Sequence, residues 1–215
     1  MTTFTFAPHL APFNTDLPTF SATKPGFTDF GVGGFIFSIP PRAETTAIET
    51  KREPKVLLLQ RCLSDSFGGY WEGPGGGLDP ATDRTILDGA AREVLEESGL
   101  HVSRFVDLVA VDEWARMKRD KLHVVAKFTF LVEVHEAGTR TGGDATEGIG
   151  KVSRETIQKR WEDGVKLAEG EHQVYAWATE EEVREGLEEK GPYRFVNQMG
   201  TSLLKGFEMV RALEQ

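Results

Sequence analysis

The chain has 215 residues, enough for one domain with a sizeable core and short extensions. At 39% hydrophobic and 27% charged it reads as an ordinary folded chain, which excludes a disordered one. A net charge of −9 excludes a general binder of nucleic-acid polymers or anionic membranes, whose affinity rests on surplus Lys and Arg.

Residues 1–28 are rich in Phe, Pro and Thr without a sustained period. They are read as an extended N-terminal arm that packs through its aromatics or stays loose. Their start, MTTFTFAPHLAPF, lacks the basic opening and apolar block of a signal peptide, so the expected compartment is the cytoplasm, with the nucleus left open. GVGGFIFSI at 31–39 predicts a strand, and KVLLLQR at 55–61 a second, joined as a long-looped hairpin by the polar stretch 40–54. The single cysteine, Cys62, excludes an intramolecular disulfide and reads as a small strand-end residue.

SDSFGGYWEGPGGGLDPATD at 64–83 must be loop and turns. A helix is predicted over Arg84–Ser98, with Asp83 as N-cap and Gly99 as stop. RFVDLVAVDEWARM and KLHVVAKFTFLVEV predict two strands around a charged turn. The stretch 135–153 reads as a glycine-rich loop, and 154–164 as a short helix. HQVYAWAT predicts a strand, and the run from Glu180 a helix capped by Thr179. Val196, Met199, Leu203, Phe207 and Val210 then fall at helical spacing and should close the domain by packing on the sheet. Strands mixed with helices make the fold class α/β (α+β). The expected layout is the arm, a main domain over 29–180, and C-terminal helices over 181–215 packed on that domain.

The stretch AAREVLEESGL crowds Glu93, Glu96 and Glu97 onto little more than one turn. At about 100° per residue, Glu96 lies roughly 60° to one side of Glu93 and Glu97 roughly 40° to the other. All three leave one edge of the helix, beside the apolar arc of Leu87, Ala90, Ala91, Val94 and Leu95. Like charges at these spacings destabilise a helix. A solvated acidic face is one reading. A cation site is the other, and the GPGGG just upstream favours it, because bare backbone there can add a carbonyl oxygen to the carboxylates. Hard ions such as Mg²⁺ take such a set, and the ion would let an acidic protein hold a polyphosphate.

GGGLDPATDRTILDGAAREVLEESGL resembles the Nudix box, G-x5-E-x7-R-E-U-x-E-E-x-G-U with U apolar. Arg92, Glu93, Val94, Glu96, Glu97, Gly99 and Leu100 match its second half at every defined position. The first half departs from it. Counting back from Arg92, the box glutamate falls on Arg84 and the box glycine on Leu78; the nearest suitable residues are Asp83 and Gly77 or Gly76. The turn therefore carries an insertion of one or two residues.

The resemblance implies a Nudix-type α/β/α sandwich with a mixed sheet. It also implies hydrolysis of a phosphoanhydride bond, in a nucleoside diphosphate linked to another group, with Mg²⁺ or Mn²⁺. It makes Glu93, Glu96 and Glu97 metal ligands, with the Gly77 or Gly76 carbonyl completing the shell and Arg92 holding the cluster in shape. The general base is Glu97 or Glu171, and His172 beside the latter reads as a hydrogen-bonded residue. Arg61, Trp71, Arg116 and Arg119 are candidates for substrate contact, each with an ordinary structural role as the competing reading; Phe67, Lys118 and Lys121 stand beside them. The implied partner is a small phosphorylated substrate, not a nucleic-acid polymer or membrane, and the chain is a monomer or homodimer. Two alternatives stay open: a non-hydrolytic Nudix-fold nucleotide-binding or regulatory module, and a diphosphatase or isomerase of a non-nucleotide diphosphate.

Overall fold

Two long apolar strands fix the centre of the molecule. In the computed structural model, which describes residues 3–40, 53–138 and 160–214, they are β5 (Val102–Lys118) and β6 (Lys121–Val134). They form the expected antiparallel hairpin, turned by Arg119 and Asp120, both at positive φ (49° and 60°). Positive φ at both turn residues matches the twist of the flanking strands. Beside β6 lies β2 (Asp29–Ser38), parallel to it from Asp29 to Ile36. The end of β2 meets β3 (Lys55–Arg61) antiparallel at Phe37 and Ser38, so the predicted hairpin pairing exists only at its tip. β3 continues against β4 (Trp71–Glu72) and β7 (His172–Thr179), both antiparallel. A two-residue strand, β1 (Thr5–Phe6), adds parallel to the outer edge of β5. Among the described residues the sheet is thus seven-stranded and mixed.

Helices cover both faces. Leu57 and Leu59 face one core, Val56 and Leu58 the other, as strand alternation requires. On the first face α2 (Ile86–Ser98) buries Ile86, Leu87, Ala90, Ala91 and Val94. Its cap is Thr85, whose side chain accepts the Asp88 N–H at 3.0 Å, and not Asp83 as the sequence suggests. It ends as expected at Gly99, in the left-handed region at φ 69°. On the second face α4 (Glu180–Leu187), entered through a Thr179–Glu182 capping box, packs on α5 (Met199–Leu213). α5 buries Met199, Leu203, Phe207 and Val210, while Val196 precedes it. An α/β/α sandwich results.

The N-terminal arm is not simply extended. After β1 it makes a 3-10 turn over Pro8–Asn14 and a short helix, α1 (Leu17–Ala22), capped by the Asp16 side chain. The expected aromatic packing holds: Phe13 stands edge-on to Phe128 and Phe130 at 5.3 Å, and Phe20 packs on Phe30 and Phe128. His135–Gly138 forms a single helical turn, α3. Of the segment read as a short helix at 154–164, Trp161–Gly164 is a 3-10 turn and 154–159 lie outside the described residues. Residues 41–52 of the polar loop and 139–153 of the glycine-rich stretch lie outside them too.

Candidate functional site

The loop between β4 and α2 runs antiparallel beside the first half of β2. Val32 N–H donates to the Gly76 carbonyl at 2.9 Å and Gly34 N–H to the Pro74 carbonyl at 3.0 Å. This stitching brings bare backbone against the acidic edge of α2. Gly75 N–H donates to Glu97 Oε2 at 2.6 Å. A Cβ on Gly76 would stand 2.6 Å from Glu93 Oε2, so only glycine lets that carboxylate lie where it does.

Arg92 ties the arrangement together. Its guanidinium donates to both carboxylate oxygens of Asp83 at 2.8 Å, to the Gly77 carbonyl at 3.1 Å and to Glu96 Oε2 at 2.8 Å, and lies 2.9 Å from Glu93 Oε1. Asp83 also accepts the Asp79 N–H at 2.8 Å. Burial opposes its charge, but Arg92 and the Asp79 N–H hold the Asp83 carboxyl below the usual carboxylate range. Asp83 therefore fastens the loop to the helix. It stands at the pattern's spacing from Gly77; the extra residue falls between Asp83 and Arg92, where Arg84 and Thr85 lead into the helix.

The three glutamates of α2 do not share one environment. Glu93 and Glu97 are buried, at 8% and 5% exposed, while Glu96 stays open at the rim. Burial raises the Glu93 carboxyl despite Arg92. Burial pushes Glu97 up to about 7, against the Gly75 N–H and the charge of His172, and the charges of Glu72 and Glu93 add to the rise. Across from the helix, Glu171 and His172 enter β7. A Glu97 oxygen, a Glu171 oxygen and a ring nitrogen of His172 lie within 4.8 Å of one another. His172 Nε2 is 3.3 Å from Glu72 Oε1, and Arg61 donates to the same oxygen at 2.5 Å. Burial lowers the affinity of His172 for a proton, but the Glu72 hydrogen bond and the charges of Glu97 and Glu72 outweigh it and raise its pKa.

These donors fit a divalent cation. Two carboxylates are buried beside like charge, a third stands open across from them, and the glycine loop leaves room at Glu93. A cation there would supply the counter-charge that burial denies Glu97. The Gly77 carbonyl, expected as a ligand, is engaged by Arg92 and keeps one lone pair.

An open cleft of about 1760 Å³ borders the glycine loop. Its lining includes Gly75–Gly77, Arg61, Glu72, Asp112, Trp114, Arg116 and Lys127, with Leu17 and Ser21 of the arm as one wall. The substrate candidates divide here. Arg116 is in the cleft, and Arg119 is outside its lining, at the hairpin tip. Arg61 is in the cleft, but its guanidinium is spent on Glu72, Asp65 and the Ser66 carbonyl. Trp71 is not in the lining. It is 8% exposed in the second core, edge-on to Tyr193 at 4.9 Å. The rings that line the cleft are Trp114 on β5, Phe27 and Phe30, all half-buried, and exposed Phe67. Sequence reasoning missed Trp114, Asp112 and Lys127. Strand alternation was the usable signal: Asp112, Trp114 and Arg116 share one face of β5, opposite Lys127, Val125 and His123 of β6. Lys127 is in no ion pair among the described residues, and its charge acts on Glu72 and Asp112.

An α/β/α sandwich whose glutamate-bearing helix packs against a glycine loop has the architecture of the Nudix fold. A model of the NUDIX domain matches residues 40–199, and the chain belongs to that family. No curated protein matches it. Among solved structures it is similar to NrtR of Shewanella oneidensis complexed with a 27mer DNA, at 14% identity and TM-score 0.50 over 85% of this chain and 62% of that one. It is also similar to a MutT NUDIX hydrolase from Burkholderia pseudomallei, at 15% identity and TM-score 0.47 over 82% and 96%. A third is a C. elegans Ap4A hydrolase, at 18% identity and TM-score 0.44 over 86% and 98%. At such identities the likeness concerns the fold alone.

Proposed function

We propose that the protein is a divalent-metal-dependent hydrolase of a phosphoanhydride bond, acting on a nucleoside diphosphate linked to another group. The observation that carries this reading is the buried pair Glu93 and Glu97, set against the glycine loop with Glu171 opposite. Glu93, Glu97 and Glu171 would hold Mg²⁺ or Mn²⁺, with Glu96 reaching it from the rim. Bound there, the cation supplies charge neutralisation for the phosphoryl oxygens and a lowered pKa for the attacking water.

The chain's own residues do the rest. Gly75 N–H fixes Glu97 Oε2, which leaves Oε1 to take the proton of the water. Arg92 and Asp83 keep helix and loop in register, so that the carboxylates stay where the reaction needs them. Lys127 and Arg116 offer cationic contacts to phosphate, and Trp114 a flat face to a ring.

The test is a substrate panel: nucleotide sugars, dinucleoside polyphosphates, nucleoside triphosphates and inositol pyrophosphates, each with Mg²⁺ or Mn²⁺ and detection of released phosphate products. At least one should turn over and stop on chelation. A ligand that raises the melting temperature yet is never cleaved would mark a binding module instead. No turnover and no metal binding would overturn the proposal.

A further inference from the structure

His172 lies outside the box, and the box pattern gives it no task. It opens β7 opposite Arg61, where the β3–β7 register slips between Gln60 and Arg61. Such a bulge re-aims a side chain, and here the imidazole shares a side of the sheet with Glu72 and with the acidic edge of α2. The residue is 6% exposed. Its Nε2 faces Glu72 Oε1 at 3.3 Å. Glu72 is the acceptor in that contact, since the same oxygen takes the Arg61 guanidinium at 2.5 Å. Nε2 therefore carries the hydrogen, and a neutral ring keeps its free electron pair on Nδ1. That Nδ1 is buried and has no hydrogen-bond partner among the described residues. A buried polar atom left without a partner is costly, so its persistence beside two carboxylates needs a reason. Glu97 and Glu171 each place an oxygen within 4.8 Å of a ring nitrogen of His172 and of each other.

We propose that His172 is a nitrogen ligand, through Nδ1, to a divalent cation shared with Glu97 and Glu171. The centre is then a mixed nitrogen–oxygen site that takes Mn²⁺ and the later divalent transition ions in preference to Mg²⁺. Mg²⁺ favours an all-oxygen shell with several waters, whereas imidazole raises affinity along the transition series. Glu72 orients the ring from behind, as carboxylates do for metal-bound histidines, and Arg61 fixes Glu72 in turn. This inference rests on the metal-dependent reading above and adds a ligand to it.

The experiment uses the full chain with Mn²⁺ alone as probe. Pulsed EPR on protein grown with ¹⁴N- and then ¹⁵N-histidine reads histidine coordination directly, and calorimetry compares Mn²⁺ with Mg²⁺. The expected result is a histidine-nitrogen coupling that vanishes in His172→Gln. Mn²⁺ affinity should also fall roughly tenfold or more in that variant, while Mg²⁺ affinity changes little. Circular dichroism reports whether His172→Gln folds. If it does not, a variant lacking His9, His101, His123 and His135 should retain the coupling, and its loss there would overturn the assignment. Mn²⁺ bound to the native protein without nitrogen coupling, or coupling that survives in His172→Gln, would overturn the histidine ligand and leave the carboxylate site standing. Failure of the native protein to bind either ion would overturn both.

Discussion

At the scale of single residues, the site depends on contacts that one methyl or one charge disturbs. Alanine at Gly76 would put its Cβ 2.6 Å from Glu93 Oε2. The carboxylate must move, and displacement of a reacting group by about an ångström costs on the order of a hundredfold. Gly76→Ala should therefore lower turnover by on the order of a hundredfold while the melting temperature changes little; steady-state assays beside thermal melts check both. Asp83→Asn should cost roughly 1.5–3 kcal/mol, since it weakens charge-assisted hydrogen bonds to Arg92. The folded-state pKa of Asp83 is depressed. Its contribution is thus fully present above the unfolded value, near 4, and is lost as pH falls through the folded value. Urea unfolding at several pH values should show a constant gap between native and variant protein at neutral pH, closing below about pH 4. The glutamates were legible because they sit at fixed helical spacing. The role of Asp83 was not, because one extra residue takes it off the pattern, and only the fold shows its carboxylate returning to Arg92. Of the two readings of Trp71, its burial agrees with the structural one, and the ring that covers it, Tyr193, is far along the chain.

At the scale of elements, the predicted strands and the box, α4 and α5 helices stand close to where periodicity puts them. The arm does not, since a 3-10 turn and a two-turn helix leave no sustained period to read. Its attachment is nevertheless specific. Phe20 is 5% exposed and packs on Phe13, Phe30 and Phe128, and the same helix lines the cleft through Leu17 and Ser21. Phe20→Ala should destabilise the protein by about 3–5 kcal/mol. Because one cleft wall loosens with it, KM should rise more than kcat falls. Denaturation curves and initial rates test the two halves separately, and a stability loss with unchanged KM would detach the arm from the cleft. The β3–β7 bulge that aims His172 was equally hidden, since register slips arise from pairing and not from composition.

At the scale of the whole molecule, a net charge of −9 and a polyanionic substrate repel each other unless a cation stands between them. No described helix is long and apolar enough to cross a membrane. Metal binding should stabilise the fold as a ligand does, by about 2.7 kcal/mol at a hundredfold excess over Kd, seen as a rise of several degrees in melting temperature that Glu93→Gln with Glu97→Gln removes. The most direct test of the central claim is phosphoanhydride hydrolysis by the native protein and by Glu97→Gln, with Mn²⁺, with Mg²⁺ and with chelator. The account predicts cleavage of at least one phosphoanhydride with metal, none with chelator, and a loss of at least about a hundredfold in kcat for Glu97→Gln with the fold intact. Cleavage that persists in chelator, or at native rate in Glu97→Gln, would contradict it.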